Sequence, residues 1–343
     1  MSNKKARLAM VGIGGWSATI VRNLIKCPAA ELVACFSRSK ENRESFAKEY
    51  HCEPKESLES LLKDKSIQGV LFITPNPVHA ELVILAAQHG KHCFVDKPIA
   101  NTLAEAQRMV KTCREQKVLL AVGHNSRRRQ ESRMIRKLID QGDLGPLVSL
   151  ECNFSHGGGK NLTADKWRWH NDKNPGGPLN LLGSHHIDTI NYLVNARPKL
   201  VSALFSKTFG KSETPDITST IIQYENGVQA VVQANYITAY TFYLHVHGAR
   251  QSAYFTTYQN YGELVVSGDT NWSALHSEYQ LCRFHGGSVA DASFQEEINE
   301  FALAVTGQAQ LEVSGEEAIK VVAIMEAAVQ SAKTGRTVEV SAL

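Results

Sequence analysis

Along the first third of the chain, short unbroken apolar runs alternate with stretches whose apolar residues recur at helical spacing. The runs at residues 7–11, 31–36, 69–74, 92–95 and 118–122 (RLAMV, ELVACF, GVLFIT, HCFV, VLLAV) are rich in β-branched residues and carry no polar alternation. A strand without a polar face is buried on both sides, as parallel strands sandwiched between helices are. Between the runs lie helical stretches such as ENRESFAKEY, PVHAELVILAAQHG and LAEAQRMVKTCREQ. The pattern predicts α/β architecture: an N-terminal, doubly wound parallel sheet of the Rossmann type over residues 1–123.

The texture changes after residue 124. A basic helix near 130–141 and the turn GDLGP lead into longer strands that do alternate. ITSTIIQYENGVQAVVQANYI places two such runs on either side of Asn226-Gly227, a strong hairpin signal. Further strands are expected near 242–247, 252–258, 262–267 and 279–284. Residues 124–343 are therefore expected to form an α+β domain on a largely antiparallel open sheet. One face of that sheet is left to meet a helix layer or another subunit. Two closing helices, SFQEEINEFALAVTG and SGEEAIKVVAIMEAAVQSAKTG, are able to pack back on the first domain. Ser314 and Glu317 suit a capping box, Gly335 suits a C-terminal stop, and RTVEVS reads as a last strand.

Composition narrows the partners. A formal net charge of +3 over 343 residues gives no electrostatic case for nucleic acid or an anionic membrane. The one basic run, SRRRQESRMIRK at 126–137, contains Glu131 and reads as a solvated helix face. Seven cysteines with no CxxC spacing and an odd count point to reduced thiols. The apolar run of MSNKKARLAMVGIGG is broken by glycines, against a signal peptide, and no run approaches the roughly 18 residues of a membrane span. A cytoplasmic protein is expected, so the sequons NLT and NWS are chance matches.

MVGIGGWSA follows the first strand and opens the first helix. Gly12 suits a tight turn, Gly14 lets the backbone approach a pyrophosphate, and the helix N-terminus offers free N–H groups. Gly15 and Trp16 continue this cofactor-binding run, while Ser17 stands where the fingerprint has its third glycine. The second strand ends in CFSRSK, where NAD-binding folds usually carry an acid for the ribose hydroxyls. Ser37 and Arg38 suit a 2′-phosphate instead, so NADP is favoured, with NAD the alternative.

From ITPNPVHAELVILAAQHGKHCFVDKPIA onward, the chain resembles the glucose–fructose oxidoreductase/inositol dehydrogenase/MocA family of NAD(P)-dependent oxidoreductases. The likeness covers nearly the whole length. It includes VGHNSRR, KWRW, the GGP…LGSHHID segment and the closing helices. Asp96-Lys97-Pro98 stands for the family's E-K-P, a conservative departure. The resemblance implies that Lys97 lies beside the nicotinamide and hydrogen-bonds the reacting oxygen, with Asp96 beside it on the cofactor side. A lysine held by proline at the carboxyl end of a strand also sits where such sheets bind ligands. Thr74, Pro75, Asn76 and His79 would line the adenine and ribose side, and Arg127 matches a family arginine near the cofactor. Asn125, Trp167, Arg168 and Asn180 are expected on the substrate side, packing being the rival role for Trp167 and Arg168.

Within PGGPLNLLGSHHID, alignment on Gly183 puts His185 on the family histidine and Asp188 on its last aspartate. The family's inner carboxylate falls at Leu181 and is missing. Asn180 points about 100° away on an ideal helix and does not take its place. His185 is expected to handle the proton with Lys97, and Asp188, three residues on, to orient its imidazole. His185 and His186 cannot share a helical face and no further cluster has ligand spacing, so no metal is expected.

The expected activity is hydride transfer between the nicotinamide and a carbinol carbon of a sugar, polyol or related cyclic alcohol. Two rivals stand beside it: a glycosidase-type enzyme that retains its cofactor, and a non-catalytic dinucleotide-binding sensor. A homodimer or homotetramer through the C-terminal sheet is expected.

Overall fold

The structure, a computed structural model, describes residues 5–257, 261–267, 279–285 and 288–340. The second sequon, at 271–273, lies outside them. The chain divides into two compact units, one made of residues 1–124 and 291–319, the other of 125–290 and 320–343.

In the first unit, strands β1 (Ala6–Val11), β2 (Ala30–Phe36), β3 (Glu53–Pro54), β4 (Gly69–Phe72), β5 (His92–Asp96) and β6 (Leu120–Gly123) form one parallel sheet. Their order is β3-β2-β1-β4-β5-β6. The apolar runs do what their lack of polar alternation requires, since every residue of β4 and β6 is buried. The connecting helices are α1 (Ser17–Leu24), α2 (Lys40–Tyr50), α3 (Leu58–Lys63), α4 (His79–Gln88) and α5 (Leu103–Glu115). Ser39, Ser57 and Thr102 each begin a helix by accepting a backbone N–H through their side chains, at Asn42, Ser60 and Glu105. β3 is the strand that the apolar pattern misses, because two exposed residues carry no hydrophobic signal.

Residues 291–319 complete this unit. Phe301 is fully buried with its ring centroid 5.8 Å from that of Phe94, and the Val122 N–H donates to the Val313 carbonyl at 3.1 Å. The order reverses between β1 and β4, and at such a switch point the carboxyl ends of the strands open a crevice.

The second unit is built on nine strands, β7 (Leu147–Ser155), β8 (Pro198–Ser206), β9 (Ile217–Tyr224), β10 (Gln229–Asn235), β11 (Thr241–Gly248), β12 (Ser252–Thr257), β13 (Tyr261–Ser267), β14 (Tyr279–His285) and β15 (Val338–Glu339). Their order is β14-β13-β12-β11-β7-β10-β9-β8-β15. All neighbours are antiparallel except β7 and β10. Burial alternates along β9, β10 and β11, so one face of the sheet is dry and the other open. Helix α7 (Ser184–Val194) is tied to the dry face, where the Tyr224 hydroxyl donates to Asn191 Oδ1 at 2.7 Å. Helix α6 (Gln130–Asp140) reaches α7 through Arg136, which donates to the carbonyls of Tyr192 and Leu193 at 3.2 Å. Helices α8 (Ser288–Val305) and α9 (Gly315–Thr334) close the chain, and Ser331 of α9 accepts the Ala203 N–H of β8 at 2.9 Å.

The Asn226-Gly227 hairpin forms between β9 and β10. Gly227 closes its turn onto the Tyr224 carbonyl at 3.0 Å and adopts φ +86°, a left-handed conformation that costs a side-chain-bearing residue about 1–2 kcal/mol. Gly227→Ala should therefore lower the unfolding free energy by about 1 kcal/mol, seen as a lower urea midpoint, and Gly227→Asn by less. Equal midpoints for all three proteins would remove the left-handed requirement.

Candidate functional site

The loop after β1 is shaped by its glycines and by Ser17. Gly12 adopts φ +96°, and a Cβ there would lie 2.2 Å from the Ile73 carbonyl oxygen. Only glycine lets β1 and the end of β4 approach this closely. Above Gly14 and Gly15 a Cβ would meet nothing within 4 Å, the open space that a pyrophosphate requires. Ser17, in the third glycine's place, ties the loop to itself: its hydroxyl donates to the Gly14 carbonyl at 2.6 Å and faces the Gly14 N–H at 3.1 Å. Trp16 is partly exposed and packs edge-on against Phe294, with ring centroids 5.4 Å apart.

A cavity of about 470 Å³ opens there, lined by Gly12, Gly14, Ser37, Arg38, Thr74 and Pro75. Leu58, Val78, Glu81 and Leu82 also line it; no local pattern marks them, because they come from helices α3 and α4 and the turn before α4. Ser39 is used as the α2 cap, which leaves Ser37 and Arg38 as the polar groups at the end of β2. The Thr74 hydroxyl and Asn76 Nδ2 are buried without a partner in the protein among the described residues. An adenine dinucleotide suits this set of residues: open backbone for phosphate, a cation and a hydroxyl for the ribose side, and apolar walls for adenine.

His79 sits apart from the cavity lining. It is fully buried, with Nδ1 3.0 Å from the Pro98 carbonyl and Nε2 2.9 Å from the Thr74 carbonyl. Burial pushes its pKa down, against the two carbonyls that raise it, and the ring fills the space between the Thr74 turn and the residue following Lys97. Lys97 itself is half-buried; its N–H donates to Asp96 Oδ1 at 2.9 Å, and the peptide to Pro98 is cis.

In the second unit, residues 125–128 form a buried turn that meets α7. Arg127 Nε and Nη2 donate to the two oxygens of Asp188 at 2.8 and 2.6 Å, a two-pronged pair with both side chains buried. The neighbouring Ser126 hydroxyl lies 3.0 Å from His185 Nδ1. Asp188 thus holds the turn that carries Ser126, and Ser126 meets the imidazole. Asn125 is buried in the same turn.

α7 is entered through a wide turn, Leu179–Gly183, in which the Ser184 N–H reaches back five residues to the Leu179 carbonyl. Leu181 joins Leu182, Ala234 and Tyr236 in an apolar cluster against which Phe154 and Trp167 pack. The Phe154 ring is 5.8 Å from that of His185. Asn180 turns elsewhere: its carboxamide lies over Gly176, where a Cβ would be 2.0 Å from Oδ1. Arg168 is exposed, with its guanidinium 5.1 Å from the Trp167 ring centroid. Burial raises the Tyr236 hydroxyl pKa, and the charge on Arg168 opposes that rise.

The basic run at 126–137 is not the solvated face expected of it. Arg127, Arg128 and Glu131 are buried, Arg129 pairs with Glu131, and Arg129 lies 4.5 Å from the Phe242 ring centroid. The partners outside the run, Asp188 and Phe242, are distant in sequence, so the run alone could not reveal them. Nor does sequence spacing foretell the cluster of His170, Asp172 and Glu213, whose ligand-type atoms lie within 4.8 Å of one another. His170 already faces Glu213 Oε1 and the Ala164 carbonyl with its two nitrogens.

Comparison with known proteins adds the ancestry. The oxidoreductase family with the NAD-binding Rossmann fold (GFO_IDH_MocA) matches residues 6–124, and that family's C-terminal alpha/beta domain matches 136–340. The chain is 26% identical over 276 residues to 2,7-anhydro-N-acetylneuraminate hydratase of Escherichia coli (strain K12), covering 78% of this chain and 72% of that one. It is 26% identical over 315 residues to the scyllo-inositol 2-dehydrogenase (NADP(+)) of Bacillus subtilis (strain 168), covering 88% and 86%. A solved levoglucosan dehydrogenase in complex with NADH and levoglucosan shares the fold, with a TM-score of 0.89 at 22% identity over 99% of this chain and all of that one.

His186 supplies a test of the core of the second unit. It is buried, its ring centroid 4.7 Å from that of Phe242, and burial lowers its pKa from 6.5 to about 4. The unfolded chain takes up this proton near pH 6.5 and the folded chain only near 4, so stability falls as pH drops through that window. The loss is about 3 kcal/mol for this group, at 1.36 kcal/mol per unit. His79 and His156, also lowered by burial, act in the same direction. In urea unfolding between pH 7.5 and 4.5, His186→Leu should flatten the pH slope by one proton's share. An unchanged slope would mean that His186 is not held neutral.

Proposed function

The chain belongs to the GFO_IDH_MocA oxidoreductase family, and we propose that it moves hydride between the nicotinamide of NADP and a carbinol carbon of a sugar, polyol or related cyclic alcohol. The observation that carries the NADP reading is the end of β2, where Ser37 and Arg38 line the cavity in place of an acid. NAD is the alternative, and Glu81 in the same lining is the residue that favours it. The names of the relatives, a scyllo-inositol dehydrogenase among them, support the substrate class.

NADP, when bound, supplies the hydride donor or acceptor. The chain supplies grip, orientation and a path for the proton. The Gly12–Gly15 loop and the start of α1 would hold the pyrophosphate, and Thr74 and Asn76 the ribose side. Lys97 Nζ is assigned the hydroxyl proton of the carbinol, an amine being able to take that proton or return it. With Nδ1 of His185 on Ser126, Nε2 is assigned to the substrate oxygen. Arg127 acts through structure, fixing Ser126 by way of Asp188.

A second reading is favoured by the name hydratase borne by two of the relatives. In it the chain retains its cofactor and catalyses a change without net redox. Absorbance at the NADPH wavelength over a sugar and polyol panel separates the two, since only the first consumes or forms free NADPH.

The open sheet face exposes Leu204, Ile221 and Val231, with Val231 directly opposite Ile221. It suits a homodimer or homotetramer, which light scattering in solution would measure. A reducing, cytoplasmic location fits the free thiols at Cys27, Cys35, Cys52, Cys93, Cys113 and Cys152. Among the described residues no helix is long and apolar enough to cross a membrane.

Ser37→Asp should reverse the cofactor order in calorimetry by placing a negative charge against a 2′-phosphate. Equal or better NAD binding by the unmodified protein would end the NADP assignment. Lys97→Met should keep dinucleotide affinity within a few fold and lower turnover by roughly 10²–10⁴. His185→Ala should lose at least roughly 10² in kcat/KM at unchanged stability. His186→Ala should instead lose stability, by about 2 kcal/mol or more for the cavity, with kcat/KM largely kept in the folded fraction. The opposite split would move the site to His186.

A further inference from the structure

Among the described residues of the first unit, two pairs of cysteines meet, and they differ in what decides reactivity. Cys93 of β5 meets Cys113 of α5, but both are buried, and burial pushes the Cys93 thiol well up. Cys35 of β2 meets Cys52, which immediately precedes β3 and is only half-buried. The hydrogen bond between these two thiols holds Cys52 below its usual range and, with burial, pushes Cys35 up. Cys52 is thus the thiolate of the pair, and the thiolate is the form that attacks an oxidant. An accessible thiolate beside a second thiol is the arrangement of redox-sensing cysteines. The pair also flanks the 470 Å³ cavity: Phe36, Ser37 and Arg38 follow Cys35 directly, Leu58 opens the helix after β3, and all four line it. Arg43 joins the two places. Its carbonyl lies 3.6 Å from Cys35 Sγ, and its guanidinium donates to the Ser37 carbonyl at 3.3 Å.

We propose that Cys52 and Cys35 are a redox-modification site, closed into a disulfide by a hydroperoxide, and that closing it loosens the hold on the dinucleotide. The second half rests on the reading of this cavity as the dinucleotide site. The Cys52 thiolate attacks one peroxide oxygen; the O–O bond breaks, an S–O bond forms, and hydroxide leaves to take a proton as water. The sulfenic acid at Cys52 no longer carries the negative charge that opposed ionisation of Cys35. The Cys35 sulfur then attacks Cys52, the S–S bond forms, and the S–O bond breaks. A second hydroxide leaves with the Cys35 proton as water. Two thiols lose two electrons and the peroxide gains them. In the parallel pairing Cys35 stands opposite Pro54, so Cys52 lies two positions back on the same face of the sheet. On ideal strands that offset separates Cα atoms by about 8 Å, whereas a disulfide holds them at about 5.5–6 Å. Closing the bond therefore draws β3 toward the end of β2. An exposed edge strand of two residues is the element that yields, and the wall between Ser37 and Leu58 is reshaped with it.

The test treats the reduced full chain with stoichiometric hydrogen peroxide and maps all seven cysteines by mass spectrometry. One intramolecular link should join the peptides of Cys35 and Cys52, with the mass lowered by two hydrogens and restored by dithiothreitol. Cys93 and Cys113 should stay reduced. Calorimetry with NADP⁺ and NAD⁺ should show the better-bound dinucleotide weakened roughly tenfold by oxidation, the effect of losing one or two hydrogen bonds, and recovered on reduction. Cys35→Ser should stop the reaction at a sulfenic acid on Cys52, trapped by dimedone. Cys52→Ser should keep its dinucleotide affinity through the peroxide treatment; if Cys35→Ser does not fold, this half-exposed position carries the test. No link between Cys35 and Cys52, a link at Cys93 and Cys113 in its place, or a bridged protein with unchanged dinucleotide affinity overturns the proposal. A reduced protein that binds neither dinucleotide sinks the reading of the cavity and the coupling with it, while a mapped bridge would still stand as a peroxide-modified site.

Discussion

The helix side of the second unit depends on a buried ion pair. Arg127 and Asp188 are both shielded from water, and moving either charge alone into such a place costs several kcal/mol. Their two-pronged geometry offsets that cost and fixes direction as well as distance. It locks a short turn to a helix, and two neighbouring residues gain their positions from it. Ser126 meets His185, and His186 falls into the aromatic core with Phe242. Removing one partner would leave an isolated charge, so the pair behaves as a registration pin more than as a source of net stability.

The parallel sheet was legible in the sequence because burial on both faces leaves no polar alternation within a run: β4 and β6 are buried throughout, and β1 and β5 carry polar residues only toward their ends. The open sheet was legible for the complementary reason: β9 and β10 alternate, and Asn226-Gly227 marks their turn. β3 left no trace, since a two-residue exposed strand is defined by its neighbour β2 alone. The glycine loop after β1 was also readable, and Gly12 and Gly14 line the cavity that opens there. What failed was the basic run, because Asp188 lies 61 residues from Arg127 and no local window contains both. The wide turn before α7 was equally silent, as extending a turn by one residue changes hydrogen bonds without requiring any particular side chain.

Two histidines adjacent in sequence show how far position outweighs residue type. His185 is half-buried and hydrogen-bonded, while His186 is sealed among rings with its pKa drawn down to about 4. One faces a hydroxyl, and the other spends the neutral pH range as an apolar filler. His79 extends the point in the first unit, where a histidine from a family motif bridges two carbonyls, at Thr74 and Pro98, instead of lining the cavity. A motif therefore names a place in the fold more reliably than it names a contact with ligand.

The strand order of the second unit carries a consequence for how the chain reaches this state. β8, β9 and β10 form one run of successive antiparallel neighbours, and β11 to β14 form another. Each can assemble from sequence-local hairpins on the microsecond scale typical of such elements. Only β7 joins the two halves, pairing with β10 on one side and β11 on the other across gaps of about 80 residues, as in Asn153 with Gln233. Closing a loop of that length carries an entropy cost before any contact repays it, so threading β7 between the finished meanders is the slow event. Until then both meanders hold an unpaired edge, and the nascent protein is most open to mispairing with other chains at those edges.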